Sequence, residues 1–238
     1  MLIKKYSFAF LQRAIAVYYK LQKKEKFVLM FHGVAEDFDA SDSLNIRYSS
    51  FCELISSLKN SSTVFSSANG IFENGKSIII TFDDVFADAA DNAIPFLETN
   101  SIPYALFVSP SLIDTEGYIT SEQLRALSDN PLCTVGFHSN RHVFFRGLSE
   151  KEVEKEIDCS GFETAFDVKC DYFAYPYGSV RACSFKSIRV LANSKYKAAF
   201  GTINCASNSK SSKKHPFYVP RIVVSEKSWK KVLSEVLS

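Results

Sequence analysis

The sequence lacks a strong net charge, a paired-cysteine motif, an internal repeat and a long apolar run. Its formal charge of +2 over 238 residues is too small to indicate a nucleic-acid partner, and no segment has the pattern of a groove-binding motif. Its six cysteines form no CxxC pair, which argues against a cysteine zinc site and indicates reduced, partly buried thiols in a cytoplasmic protein. With 46% hydrophobic residues, the chain can form one substantial core.

The amino-terminal segment, residues 1–26, has a pattern of its own. Gln12 and Arg13 interrupt its apolar residues, so it contains neither a membrane-spanning run nor the core of a signal peptide. The apolar residues recur at roughly helical spacing among many lysines, which predicts a basic amphipathic helix. Two interpretations remain open: the helix lies peripherally on the inner face of the cell membrane, or it caps the main domain or docks on a partner protein. Residues 27–238 would form that main domain.

Short apolar segments alternate with helical patterns along the rest of the chain. Strands are predicted at Phe27–His32, Ser77–Phe82, Pro103–Ser109, Cys133–Phe137, Tyr172–Tyr175, Ala198–Phe200 and Tyr218–Val224. Helices are predicted at Ser49–Asn60, Val85–Thr99, from Thr120, from Ser149 with Glu152 as a capping box, at Phe185–Asn193 and after Ser225, whereas Ser207–Lys214 is predicted as a polar loop. This alternation predicts an α/β fold with a parallel sheet closed, or nearly closed, into a barrel.

Three groups of chemically useful residues fall at predicted strand ends. Asp83 and Asp84 end a β-branched strand, where one carboxylate would bind a metal ion and the other handle a proton, or where both would only cap the next helix. His138 and His142 stand four apart after another strand and would face one side if the chain there is helical. The turn Tyr175–Gly178 would present a backbone N–H to an oxyanion, or is an ordinary connection.

In this order, the three groups resemble the motifs of the polysaccharide deacetylases of the NodB homology type, carbohydrate esterase family four. Thr81–Asp84 resembles the TFDD motif, His138–His142 the HSxxH motif and Phe173–Gly178 the third motif of that family. The resemblance runs from about Val28 to Val224. It implies a deformed (β/α) barrel of the NodB type, with residues 27–238 as the catalytic domain.

The resemblance also implies roles for individual residues. Asp84, His138 and His142 would hold a divalent metal ion, with zinc expected, and Asp83 would be the general base. The backbone N–H of Tyr177 would bind the oxyanion. Further residues would lie at the substrate pocket, namely His32, Tyr175 and Pro176.

By the same resemblance, the protein would be a hydrolase that removes acetyl groups from an N-acetylated sugar of a bacterial surface glycan. A lipid-linked sugar at the cytoplasmic face becomes the expected partner if the amino-terminal helix binds the membrane. Two alternatives remain: an O-acetyl esterase on the same fold, and a non-catalytic carbohydrate-binding homologue.

The sequence departs from the family pattern at several positions. Val85 replaces the glycine that usually follows the acidic pair, and Ala174 stands where many relatives carry an arginine that pairs with the base. Arg221 would supply that cation from the last strand, or is structural. No Leu-x-His motif is present near the carboxyl end, so His215 is the remaining candidate for a general acid. These departures leave the non-catalytic alternative open.

Overall fold

The computed structural model describes residues 14–15, 17–39, 43–61 and 63–238. The strands of this part of the chain are β1 (Lys26–Phe31), β2 (Val64–Phe65), β3 (Ser77–Asp83), β4 (Tyr104–Val108), β5 (Cys133–Phe137), β6 (Tyr172–Ala174), β7 (Ala198–Phe200) and β8 (Ile222–Val223). They form one sheet in the order β7-β6-β5-β4-β3-β1-β8, with β2 beside β3, and every pairing is parallel. The predicted parallel sheet is confirmed.

The chain leading into β8 brings the two edges of this sheet together. Val219 pairs with Phe200 of β7, while Ile222 and Val223 pair with β1. One irregular segment therefore contacts both edges, and the sheet curls into a barrel with its seam there. The predicted continuous strand Tyr218–Val224 is wrong in length, because only two of its residues are in β8.

Helices cover the outside of the sheet. They are α1 (Tyr48–Lys59), α2 (Ile94–Thr99), α3 (Ser121–Ser128), α4 (Glu150–Ile157), α5 (Ser160–Phe166), α6 (Phe185–Ala192), α7 (Ser209–Lys214) and α8 (Trp229–Leu237), with 3₁₀ turns at Ala68–Phe72, Pro110–Leu112 and Pro216–Tyr218 and a π-helical turn at Ala89–Ala93. Ser149 and Glu152 form the expected capping box, yet α4 ends at Ile157 and α5 follows. The predicted loop Ser207–Lys214 is wrong, because Asn208 caps a helix there by accepting a hydrogen bond from the Ser211 N–H.

Alternate strand residues pack on opposite faces of the sheet. Residues such as Leu29 and Ile80 join the larger apolar cluster that includes the helices. Residues such as Val28, Ile79 and Phe107 join a smaller cluster that contains no residue of α1–α8 and fills the inside of the curled sheet. Because all strands are parallel, their carboxyl ends meet at one edge of the barrel, and Asp83, Asp84 and His138 lie where β3 and β5 end at that edge.

The described end of the amino-terminal segment packs on the barrel. Residues 17–20 are helical, and Tyr19 is buried with its hydroxyl 3.4 Å from the Tyr218 carbonyl. Val17 and Leu21 are exposed. Residues 1–13 and 16 of the predicted amphipathic helix lie outside the described residues. Its predicted end at residue 26 is wrong, because the helix stops at Lys20 and Lys26 begins β1. Within the described part of the chain, none of the helices is both long and apolar enough to span a membrane.

Candidate active site

A left-handed turn directs both aspartates of the acidic pair to one place. Asp83 is the last residue of β3, and the next residues, Asp84 and Val85, have φ values of 61° and 54°. Such backbone costs about 1–3 kcal/mol per residue when the side chain is not glycine. Hydrogen bonds hold the turn, because Asp84 N–H donates to the Phe107 carbonyl and Val85 accepts from Ile119 N–H. Val85 is buried in the core, so the missing glycine is tolerated.

The two histidines also meet through a turn. His138 follows β5 directly, and its N–H donates to the Val108 carbonyl. The chain is not helical between His138 and His142, because Ser139 and His142 have φ values of 66° and 51°, so a helix is not what brings the two side chains together. The turn nevertheless places the imidazole centroids 5.1 Å apart.

Asp84, His138 and His142 have the geometry of a metal site. Oδ1 of Asp84 lies 3.2 Å from Nε2 of His142 and 3.7 Å from Nε2 of His138. Donor atoms about 2.1 Å from a tetrahedral ion lie roughly 3.4 Å apart, so the spacing fits. Oδ1 of Asp84 is buried and has no hydrogen-bond partner among the described residues. A divalent cation would satisfy this oxygen.

Electrostatics also favours metal binding. Burial lowers the pKa of His138 to about 3 and also lowers the pKa of His142, so both imidazoles are neutral ligands at pH 7. Nδ1 of His138 lies 2.8 Å from the Ala174 carbonyl, which fixes the proton there and leaves Nε2 for the ion. Burial and the Asp83 carboxylate raise the pKa of Asp84 to about 7, so a nearby cation would favour its charged form.

Asp83 has a different partner. Both of its carboxylate oxygens accept hydrogen bonds from Arg221, each at 2.6 Å. The fully buried guanidinium lies over the rings of Phe107 and Phe200, at 5.4 and 5.9 Å from their centroids. Burial opposes ionisation of Asp83, but Arg221 outweighs it and lowers the pKa to about 2. Arg221, at the seam of the barrel, therefore supplies the cation that was expected at the position of Ala174.

The structure separates the remaining predicted residues. His32 is buried and helps to lower the pKa of Asp83, and its ring centroid lies 6.5 Å from that of Phe86. Tyr177 is exposed beside His142, with ring centroids 4.8 Å apart. Among the described residues, no hydrogen bond uses the Tyr177 backbone N–H, which is what an oxyanion donor requires.

Three predicted residues are not placed to act in the site. The Tyr175 side chain is buried, and its hydroxyl donates to the Phe217 carbonyl. Pro176 is buried as well. Their placement therefore does not support the expected substrate contacts. His215 lies at the end of α7, 5.7 Å from the ring of Tyr18, and lines an apolar cavity of about 560 Å³, so its placement does not support a role as general acid.

Two sets of hydrogen bonds that hold the turn between His138 and His142 were not predicted from the sequence. The Asn140 side chain donates to the carbonyls of Lys155 and Asp158, at 2.7 and 2.9 Å. Arg141 donates through its backbone and side chain to Glu156, a buried carboxylate near the end of α4. The helical spacing of Glu156 from Val153, on the apolar face of α4, was the available signal.

Comparison with known proteins agrees with the fold and the motifs. The family model for polysaccharide deacetylases matches residues 72–199, more than half of the chain, so the chain belongs to that family. The match contains Asp83, Asp84, His138 and His142, whereas Arg221 lies beyond it.

Individual relatives are distant. The chain is 25% identical over 105 residues to YxkH of Bacillus subtilis (strain 168), which is named for the same family, and this match spans 43% of the chain and 37% of YxkH. IcaB from Ammonifex degensii matches with a TM-score of 0.78 and 22% identity, covering 91% of this chain and 99% of that one. The Streptococcus pyogenes deacetylase PplD in complex with acetate matches with a TM-score of 0.79 and 17% identity over the same shares. The fold is thus the deformed (β/α) barrel of this family.

Proposed function

We propose that this protein is a metal-dependent hydrolase that removes the acetyl group from an N-acetylated sugar of a glycan. One observation carries the proposal: the unpartnered Oδ1 of Asp84 faces two neutral imidazoles beside a second carboxylate, Asp83, that is held ionised. A purely structural metal site would not need Asp83. Three protein ligands also leave an open position, as in catalytic zinc sites, so zinc is the proposed ion.

The residues divide the chemistry between them. A divalent ion bound by Asp84, His138 and His142 would supply Lewis acidity to the acetyl carbonyl and to a water molecule. Asp83 accepts the proton of the attacking water, because it is ionised at neutral pH. Arg221 is a positioning residue that fixes both oxygens of Asp83. The backbone N–H of Tyr177 donates to the developing oxyanion.

A pair of exposed aromatic rings supports a sugar substrate. Phe144 and Tyr177 are stacked with centroids 3.9 Å apart at 12°, and both are about half exposed, at 50% and 51%. Tyr177 also contacts the ring of His142, so the stack borders the metal ligands. Flat aromatic faces beside a polar site bind the apolar face of a pyranose ring. A bacterial surface glycan or its lipid-linked precursor is the substrate that we propose.

The direct test is acetate release by the zinc-loaded protein from a panel of N-acetylated and O-acetylated glycans. We expect acetate and a free amine from an N-acetylated member. Release from O-acetylated glycans alone would make the protein an esterase instead. Glycan binding without any acetate release would support the non-catalytic homologue and contradict the proposal.

The aromatic stack gives a second test of the substrate class. Replacing Phe144→Ala removes one stacking ring, and we expect KM to rise roughly 2–10-fold with kcat little changed. Phe185→Ala is the matched control, because Phe185 is 66% exposed on α6 and lines the apolar cavity beside His215 instead. Equal KM values for the two variants would contradict a sugar platform at Phe144.

A further inference from the structure

A second cluster of reactive side chains lies outside the active site. Cys159, Glu163 and Cys170 bring two sulfurs and a carboxylate oxygen within 4.8 Å of one another. Cys159 immediately precedes α5, and Cys170 follows it in the chain leading to β6. Nothing in the mechanism above uses these residues. Their spacing in the sequence follows no metal-binding or redox motif.

A cavity gives access to one of the two thiols. It has a volume of about 310 Å³, and Cys159, Glu163 and Lys195 are among its lining residues. Cys170 is not in the lining and is completely buried. A small molecule in the cavity can therefore reach Cys159, which is 2% exposed, but not Cys170.

The surrounding charges favour thiol chemistry over metal binding. Oε1 of Glu163 already accepts hydrogen bonds from the Lys195 ammonium and from the Cys170 N–H. A metal ion there would have to displace an ammonium from the cluster's only carboxylate. The same ammonium offsets part of the effect that the Glu163 carboxylate has on negative charge at the Cys159 sulfur.

The two thiols also differ in acidity. Hydrogen bonds with Cys170 and Tyr196 lower the pKa of Cys159 against burial and the Glu163 carboxylate, and Lys195 adds a smaller contribution in the same direction. The hydrogen bond to Cys159, together with burial, raises the pKa of Cys170. The thiol that lines the cavity is thus the better nucleophile, and Cys170 keeps its proton.

We propose that Cys159 and Cys170 form a thiol–disulfide exchange site, in which Cys159 attacks and Cys170 resolves. The Cys159 thiolate attacks a small disulfide RSSR, which forms a mixed disulfide and releases RS⁻. Cys170 then loses its proton and attacks the Cys159 sulfur as the thiolate, which forms the intramolecular disulfide and displaces RS⁻, and both RS⁻ groups take up the protons lost by the two cysteines. Two protein thiols are oxidised, and one RSSR is reduced to two RSH.

The charge of the cavity lining also favours disulfides of one charge over the other. Its lining contains Glu150, Glu154, Asp158 and Glu163 but only one basic residue, Lys195. Arg189 balances Glu150 from outside the lining, at 3.0 Å. The remaining excess of negative charge favours cationic and neutral disulfides over anionic ones.

The test treats the reduced full-length protein with cystamine, a cationic disulfide, and with oxidised glutathione, an anionic one. Peptide mapping by mass spectrometry should show a Cys159–Cys170 link that forms roughly tenfold faster with cystamine. Cys170→Ser should trap the mixed disulfide on Cys159, and Cys159→Ser should abolish the link. Cys52→Ser, which removes a partly buried thiol on α1, should behave as wild type.

Several results would contradict the proposal. Absence of the link in protein whose circular dichroism is native would overturn the proposal, as would trapping on Cys170 rather than Cys159. Equal rates with the two disulfides would overturn the charge selection. Cobalt(II) would reveal a metal site instead, if it gave a thiolate charge-transfer band that Cys159→Ser abolished and His138→Ala did not. These readouts do not depend on deacetylase activity.

Discussion

Two clusters in this protein bring three potential metal ligands within the same 4.8 Å, yet their surroundings differ. In the active site, Oδ1 of Asp84 is buried without a hydrogen-bond partner. In the thiol cluster, Oε1 of Glu163 already has an ammonium and a backbone N–H as partners. Proximity of donors alone therefore does not define a metal site. A metal site also needs a charge that the protein itself leaves unbalanced, as it does at Asp84.

The two clusters also differ in how the backbone holds them. Asp84, Ser139 and His142 all have left-handed backbone, and hydrogen bonds from Asn140 and Arg141 fix the histidine turn to the end of α4. Strained backbone held in this way indicates a preorganised site. Neither Cys159 nor Cys170 has left-handed backbone, and Cys159 lines a cavity, which leaves room for the two sulfurs to approach each other.

The largest effect is expected when two ligands of the active-site cluster are removed. The double variant His138→Ala, His142→Ala should lose zinc altogether, from about one ion per chain in the wild type, because a single carboxylate does not hold the ion. Metal analysis after gel filtration measures this. His215→Ala removes an imidazole from outside the cluster and should keep the metal. A double variant that still carried stoichiometric zinc would refute the ligand assignment.

The next effect separates metal binding from proton transfer. Asp83→Asn should reduce acetate release by about 10²–10⁴-fold while the zinc content stays unchanged. The variant also leaves the Arg221 charge buried without its counter-ion, which costs about 3–5 kcal/mol of stability. Urea unfolding should therefore accompany the kinetics. Wild-type turnover by a folded Asp83→Asn protein would exclude Asp83 as the base.

The pH dependence of zinc affinity gives a smaller effect. In the metal-free protein Asp84 has a pKa of about 7, and the ion must displace its proton below that pH. The histidines add no such competition near neutrality, since their pKa values are lowered. Affinity should be constant above pH 7 and fall about tenfold per unit below it. Titration calorimetry in several buffers measures both the affinity and the number of protons released. Release of two protons per bound ion would contradict the assignment.

The smallest effect is expected at the thiol cluster. Cys159→Ser and Cys170→Ser should leave zinc content and deacetylation within about twofold of wild type, because neither residue contacts the site. The same metal analysis and acetate assay measure this. Loss of bound zinc in either variant would show that the two clusters are not independent.

The sequence predicted what depends on local pattern. Cys133–Phe137 and Ala198–Phe200 are strands with the expected bounds, and the Asp84, His138 and His142 triad follows from motifs at strand ends. Arg221 had two open interpretations, because its pairing with Asp83 joins residues 138 positions apart and requires the seam of the barrel.

Tertiary packing decided the features that the sequence did not predict. The serine-rich segment of α7 has low helix propensity, yet Ser211 and Ser212 are buried and Asn208 caps the helix. Cys159 and Cys170 lie 11 positions apart in no recognised motif, and only the packing of α5 brings them together. Tyr175 lies in a motif, but the fold turns its side chain into the core.

The central claim is that Asp84, His138 and His142 hold the ion that activates water beside Asp83. The most direct measurement is acetate release from an N-acetylated glycan before and after removal of metal with a chelator, and again after zinc is restored. We predict that activity disappears with the metal and returns with zinc. Acetate release that continued in metal-free protein would contradict the claim.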